Sequence, residues 1–171
     1  MISQAVKPGE RQKDRPAPTD NKAPVVSLLQ RDGKVKSFHI EKITAEKLKP
    51  VLKEYISKDA VVNTDESGVY LFAKDHFAGH DTVNHSESEY ARRENGRLIT
   101  TNTVEGYFSL IKRGVYGTFH HVSREHLHRY LSEFDFRYNS RDTSDGERTE
   151  LALGQVTGKR LTYRTRLGAE N

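Results

Sequence analysis

Three side chains in this sequence have the types and spacing that phosphate chemistry uses. Asp65 closes the apolar run AVVNTD (60–65), a setting that suits a hard-metal ligand. Glu105 and Lys112 lie in NTVEGYFSLIKRG (102–114), seven residues apart. On a helix that spacing places them on nearly the same face, about 10 Å apart along the axis, so one can hold a metal ion and the other a phosphate. Each also has an ordinary structural reading. An aspartate ending a strand is a common turn residue. With Asn102 as N-cap, Glu105 takes the capping-box position. Lys112 and Arg113 then complement the helix dipole in the last turn, and Gly114 is a natural residue to follow the helix end. Spacing alone leaves both readings open.

The elements that must position these residues follow from hydrophobic periodicity. VVSLLQ (25–30) and KVKSFHI (34–40) flank an Asp-Gly turn and predict a β-hairpin. TAEKLKPVLKEYI (44–56) predicts a helix capped by Thr44 with Glu46 in its first turn, and Pro50 is expected to kink it or delay its regular part. Ala60–Thr64 predicts a strand parallel to an earlier one, with Asp65 at its C-terminal end, where open α/β sheets place function. Residues 66–101 read as irregular, with a short strand at 81–85. In 102–114, Val104, Tyr107, Phe108 and Ile111 form a buried stripe beside the polar stripe Asn102, Glu105, Ser109 and Lys112. A last helix, SREHLHRYLSEFDFRYN, is expected to start from Ser123 and to bury Leu127, Tyr130, Leu131, Phe134 and Tyr138. The order predicts an α/β domain, a sheet covered by helices.

Composition narrows the function classes. Among 171 residues, 34% are hydrophobic and 30% charged, and no apolar run approaches the roughly 20 residues of a membrane span. The absence of cysteine excludes disulfides and thiolate zinc sites and fits a cytoplasmic location. Eight histidines show no HExxH pair and no second half of a zinc site, so structural or phosphate-facing roles are expected for them. The net charge of +4, with a pI near 9.2, points to a polyanionic partner. Basic residues interleave with aromatics in RGVYGTFHHVSREHLHRY and GKRLTYRTRL. Residues 1–23 carry Pro8, Pro16 and Pro18 among charged residues and read as a flexible polar leader, with order beginning at Pro24. Residues 24–140 form the expected domain, and 141–171 a basic extension.

The phrases TDES, HDTVNHSESEY, TNTVEGYFSLIKRGVYGTFHHVS and HLHRYLSEFDFRYNSR, in that order, resemble DDE-type insertion-sequence transposases of the ISXO-like subgroup, from about Pro24 to about Tyr163. The resemblance implies a ribonuclease H-like catalytic core, a mixed sheet flanked by helices, in which three carboxylates hold two Mg²⁺ or Mn²⁺ ions. Asp65 matches the second of these carboxylates and Glu105 the third. Lys112 matches the basic residue expected to contact DNA, and Arg113, Asn102, His85 and Asn84 fall in family phrases that line the site. The implied activity is cleavage and joining of DNA strands by two-metal phosphoryl transfer. Its partners are double-stranded DNA, as transposon ends and target, and further copies of the chain, with no membrane.

The family's first strand, with its Asp, has no counterpart in residues 1–23, where Glu10, Asp14 and Asp20 follow no apolar strand. The expectation is therefore the C-terminal part of such a catalytic domain, marginally stable and unable to cleave DNA by itself. The alternative function is a non-catalytic protein that binds DNA or interferes with assembly of full-length subunits.

Overall fold

The computed structural model describes residues 2–3 and 23–159. By its contacts the chain divides into residues 1–139 and 140–171. Residues 1 and 4–22 of the leader expected at 1–23, and most of GKRLTYRTRL, from Arg160 on, lie outside the described residues.

In the first unit, β2 (Val25–Leu29) and β3 (Val35–His39) form the expected antiparallel hairpin, from Val25 opposite His39 to Leu29 opposite Val35. Asp32 in the connecting turn takes φ 53°. All five residues of β2 are buried. Their alternation serves two cores, because side chains on a strand point to opposite faces. Val26 and Leu28 pack with Leu48 and Leu52 of α1 (Ala45–Tyr55) and with Tyr70 and Phe77. Val25 and Leu29 pack with Val104, Tyr107 and Ile111 of α2 (Asn102–Gly114) and Leu131 of α3 (Leu127–Asn139). Helices thus cover both faces of a mixed α/β framework. Helix α1 starts from Thr44, whose hydroxyl accepts from the Lys47 amide at 3.4 Å, and runs through Pro50.

Order does not first appear at Pro24. Ile2–Ser3 form a short strand, β1, antiparallel to β2, with Ile2 opposite Leu28 and Ser3 opposite Ser27. It also lies beside β4 (Val61–Asp65). The polar composition that suggested a featureless leader does not govern backbone pairing. The open edge of β2 needs partners for its main-chain groups, and any extended segment can supply them.

Strand β4 pairs in parallel with the later β5 (Gly79–Val83) rather than with an earlier strand. The expected strand at 81–85 therefore begins and ends two residues sooner. Between β4 and β5 runs a 3-10 segment, Gly68–Asp75. The stretch expected to be irregular also contains a hairpin, β6 (Ala91–Glu94) and β7 (Arg97–Thr100). Its turn is Asn95-Gly96, at φ 50° and 75°. Asn-Gly between short extended runs is the usual signal for such a turn, so this hairpin was legible in the sequence.

Helix α3 begins at Leu127, later than the expected start after Ser123; residues 124–126 form turns, one of them closed by the His126 amide on the Ser123 carbonyl at 3.2 Å. Two polar side chains one turn apart on α3 cover the outer edge of β3. Asn139 accepts from the Val35 amide at 2.7 Å and donates to the Val35 carbonyl at 2.9 Å. Asp135, itself buried, accepts from the Ser37 amide and the Ser37 hydroxyl, each at 2.7 Å, and from the Tyr107 hydroxyl at 2.5 Å. The helix thereby replaces a neighbouring strand and closes an edge that would otherwise invite pairing with another chain.

Helix α2 does not stop at Gly114. The chain continues in helical conformation into a π-turn, Val115–Phe119. Gly114 has ordinary helical angles, so its role is not the left-handed cap expected from sequence. A Cβ there would lie 2.3 Å from the Phe134 ring of α3, so glycine is needed for the close approach of the two helices.

In the second unit, α4 (Asp145–Gly154) starts from a complete capping box. The Glu147 amide donates to the Ser144 hydroxyl at 3.4 Å, and the Ser144 amide donates to the Glu147 carboxylate at 2.9 Å. The motif S-x-x-E at 144–147 announces this start, although the segment reads mainly as polar.

Candidate active site

Strand β4 brings Asp65 to its C-terminal end, buried at 4% exposure. There its carboxylate accepts from the Ser67 amide at 3.3 Å, a turn-type bond. The preceding residue fixes a histidine. Thr64 donates its one hydroxyl proton to the Asp65 carbonyl at 2.7 Å, so His80 Nε2, 2.9 Å from the Thr64 hydroxyl oxygen, must be the donor to that hydroxyl. His80 Nδ1 is then the bare nitrogen, buried without a partner among the described residues. Burial, and next the charge of Lys74, lower the pKa of this ring.

Burial is also the main cause that raises the Tyr70 hydroxyl pKa, and the charge of Asp65 adds to it.

Glu66 links the end of β4 to the turn that carries His85. Its carboxylate accepts from the Ser86 hydroxyl at 2.7 Å and from the His85 amide at 3.0 Å. These bonds, the Ser86 hydroxyl first, hold its pKa at about 2 instead of 4.5. The turn is tied on its other side by Glu89, which accepts from the Asn84 amide at 2.8 Å and pairs with Arg92 at 3.0 Å. Asn84 caps the short 3-10 turn His85–Glu87 through a 3.1 Å bond from the Ser86 amide.

A folded-state pKa below the unfolded one means that the Glu66 contribution is full above about pH 4.5 and disappears as pH falls toward 2. Amide exchange at His85 and Ser86 is therefore expected to accelerate over that window relative to amides of α1. Glu66→Gln should abolish this extra pH dependence. An unchanged profile in the variant would show that another group controls the turn.

Helix α2 carries the second carboxylate. The N-cap is Thr101, not Asn102, so Glu105 lies one place beyond the capping-box position. Its side chain takes no cap amide. It accepts from the Thr101 hydroxyl at 2.9 Å and lies 3.1 Å from His85 Nε2. Because the Thr101 proton goes to Glu105, His85 Nε2, 3.1 Å from that hydroxyl, is again the protonated nitrogen. The sequence reading did not single out Thr101, and Glu66 entered it only as the second carboxylate of TDES. Their only signals were adjacency, Thr101 preceding Asn102 and Glu66 following Asp65.

The structure thus brings together His85, Glu105 and Thr101, and Glu66 connects that cluster to the strand end at Asp65. Asn84 lies in the same turn as a cap, and exposed Asn102 opens α2, its amide donating to the Thr100 hydroxyl at 3.1 Å. The predicted stripe of Val104, Tyr107, Phe108 and Ile111 is the buried face of α2. That burial leaves Glu105 and Lys112 half-buried on its border and Arg113 exposed in the last turn.

Among the described residues no group of three acids or histidines lies close enough to share a metal ion. The donors present still suit Mg²⁺, which prefers oxygen and is commonly held by one or two carboxylates completed by water and phosphate oxygens. Asp65 and Glu105 are carboxylates of that kind.

Residues 3–139 match a transposase domain. The chain belongs to the ISXO2-like transposase domain family. The matched segment begins before Pro24 and ends with α3, short of the Tyr163 to which the resemblance was expected to run. No curated protein matches the chain.

Proposed function

We propose that this unit is a ribonuclease H-like catalytic core of an insertion-sequence transposase, in which Asp65 and Glu105 hold a divalent cation against a DNA phosphate. The observation that carries this reading is the convergence of the β4 end and the α2 start on one cluster. Asp65 adjoins Glu66, Glu66 holds the His85 turn, and His85 touches Glu105. When bound, Mg²⁺ or Mn²⁺ supplies Lewis acidity to the phosphate and lowers the pKa of a bound water or hydroxyl. Thr101 and His85 orient the Glu105 carboxylate from one side. Lys112 and Arg113, two turns further along α2, take adjoining backbone phosphates and fix the register of the DNA without reading its sequence.

In the complete family site a third carboxylate and a second ion take part. The described residues contribute two carboxylates, which supports cation and DNA binding more directly than strand transfer. Mn²⁺ binding, followed by its paramagnetic effect on water relaxation, is expected for the wild-type chain and should be lost in both Asp65→Asn and Glu105→Gln. Retention in both variants would remove these residues from the metal site. Binding to a duplex should weaken steeply with salt, and Lys112→Ala and Arg113→Ala should each reduce the log–log slope by about 1. Slopes equal to wild type would place the phosphate contacts elsewhere.

The second reading is a DNA-binding protein without strand-transfer activity. It is favoured by the absence of a three-carboxylate cluster among the described residues. Mg²⁺-dependent joining of a transposon-end duplex by the purified chain, abolished by Asp65→Ala, would exclude it.

A further inference from the structure

Between α2 and α3 the chain concentrates unneutralised positive charge. Residues 115–130 carry Arg124, Arg129 and four histidines against a single acid, Glu125. Arg124 and Arg129 are exposed and have no ion pair among the described residues, whereas Arg92, Arg97, Arg137 and Arg148 each pair with a carboxylate. The segment is held at both sides. Phe119, which ends the π-turn, stands edge-on to Tyr130 of α3 with centroids 4.7 Å apart, and the His126 amide closes a turn on the Ser123 carbonyl.

The bonds between α3 and β3 fix where this charge stands. Asn139 meets Val35 and Asp135 meets Ser37. Four residues of α3 rise about 6 Å and two of β3 about 7 Å, so the next step brings Leu131 to His39, the last residue of β3. His128, one turn earlier on α3, and Arg124 in the preceding turn then lie at the end of that strand. Their charges reach His39. Burial first, then Arg124 and His128, lower its pKa, and Glu41 opposes them while also pairing with Lys47 at 3.9 Å. This is the end of the sheet at which Asp65 emerges. Leu29 and Gln30 adjoin Val61 and Val62, so β4 starts beside the end of β2, and Val25 with its partner His39 lies toward Asp65. A duplex carries one phosphate charge per roughly 1.7 Å of its axis, so a backbone held at Lys112 and Arg113 presents many more to the surface around it.

We propose that Arg124 and His128 form a second phosphate-binding surface, which holds the DNA backbone at a point separate from Lys112 and Arg113. It rests on the reading of this unit as a DNA-binding one. The test measures binding of the full chain to a mixed-sequence duplex over a range of salt concentrations. Arg124→Gln should reduce the log–log slope by about 1, and combination with Lys112→Ala should reduce it by about 2, as separate contacts require. Arg124→Lys keeps the charge and should keep the slope. Lys53→Gln, exposed on α1 across the sheet, should keep it too. A phosphate placed here offsets the charges of Arg124 and His128, so the His39 pKa, followed by its imidazole resonances, should rise when the duplex binds. A wild-type slope in Arg124→Gln, with the Lys112→Ala effect intact, would overturn this surface and leave the α2 contacts standing. Equal loss in Arg124→Gln and Lys53→Gln would show diffuse attraction and overturn it, and so would an unmoved His39. Absence of salt-dependent duplex binding by the wild-type chain would overturn the DNA reading and this surface together.

Discussion

Replacing Asp135 with alanine is expected to destabilise the first unit by about 3–5 kcal/mol, measured as a fall in the denaturant midpoint. The carboxylate is buried and accepts three hydrogen bonds, from the Ser37 amide, the Ser37 hydroxyl and the Tyr107 hydroxyl. Its loss leaves donors on β3 and α2 facing an apolar hole. Ser27 shares the network through its 2.9 Å bond to Ser37, so the disturbance reaches the central strand β2. Tyr107 reports on the same contact. Burial first, and then the bond to Asp135, raise its hydroxyl pKa above the ordinary value. Tyr107→Phe removes one of the three donors and should cost only about 1 kcal/mol. If Asp135→Ala costs no more than Tyr107→Phe, the carboxylate is not the hub of the network.

Gly114→Val is expected to cost about 2–3 kcal/mol. The new Cβ would meet Phe134 Cζ at 2.3 Å and Cε1 at 2.6 Å, well inside contact distance. The ring has little room to retreat, since it stands edge-on to Phe119, with centroids 6.2 Å apart. Valine is a slightly better helix former than glycine, by a few tenths of a kcal/mol, too little to offset the collision. The discriminating measurement is a double-mutant cycle with Phe134→Leu. Removing the ring tip should recover about 1–3 kcal/mol of the Gly114→Val penalty. Strict additivity would mean that the glycine serves backbone conformation instead of helix contact.

Both effects arise from residues whose importance is hidden in the linear pattern. Asp135 lies four residues from Leu131, on the same side of α3, so a helical wheel would place a carboxylate on the apolar stripe. The wheel does not say that an edge strand waits there with an amide and a hydroxyl. Gly114 sits where a helix-terminating glycine belongs, and only the neighbouring helix shows that the residue is required for space.

The sequence by itself determined the local elements that carry strong periodicity or turn chemistry. It defined the β2–β3 hairpin around Asp32-Gly33, α1 with its Thr44 cap, and the buried stripe of α2. It also placed Asp65 at a strand end and Glu105 and Lys112 on one helical border, because alternation and 3.6-residue spacing are properties of the chain alone. The family phrases identified the transposase domain. Tertiary structure decided the rest, since strand partners and helix approaches depend on groups distant in sequence. It paired β4 with β5, let Ile2–Ser3 occupy an edge of β2, turned α3 into the cover of β3, and drew Glu105 away from a helix-capping bond toward Thr101 and His85.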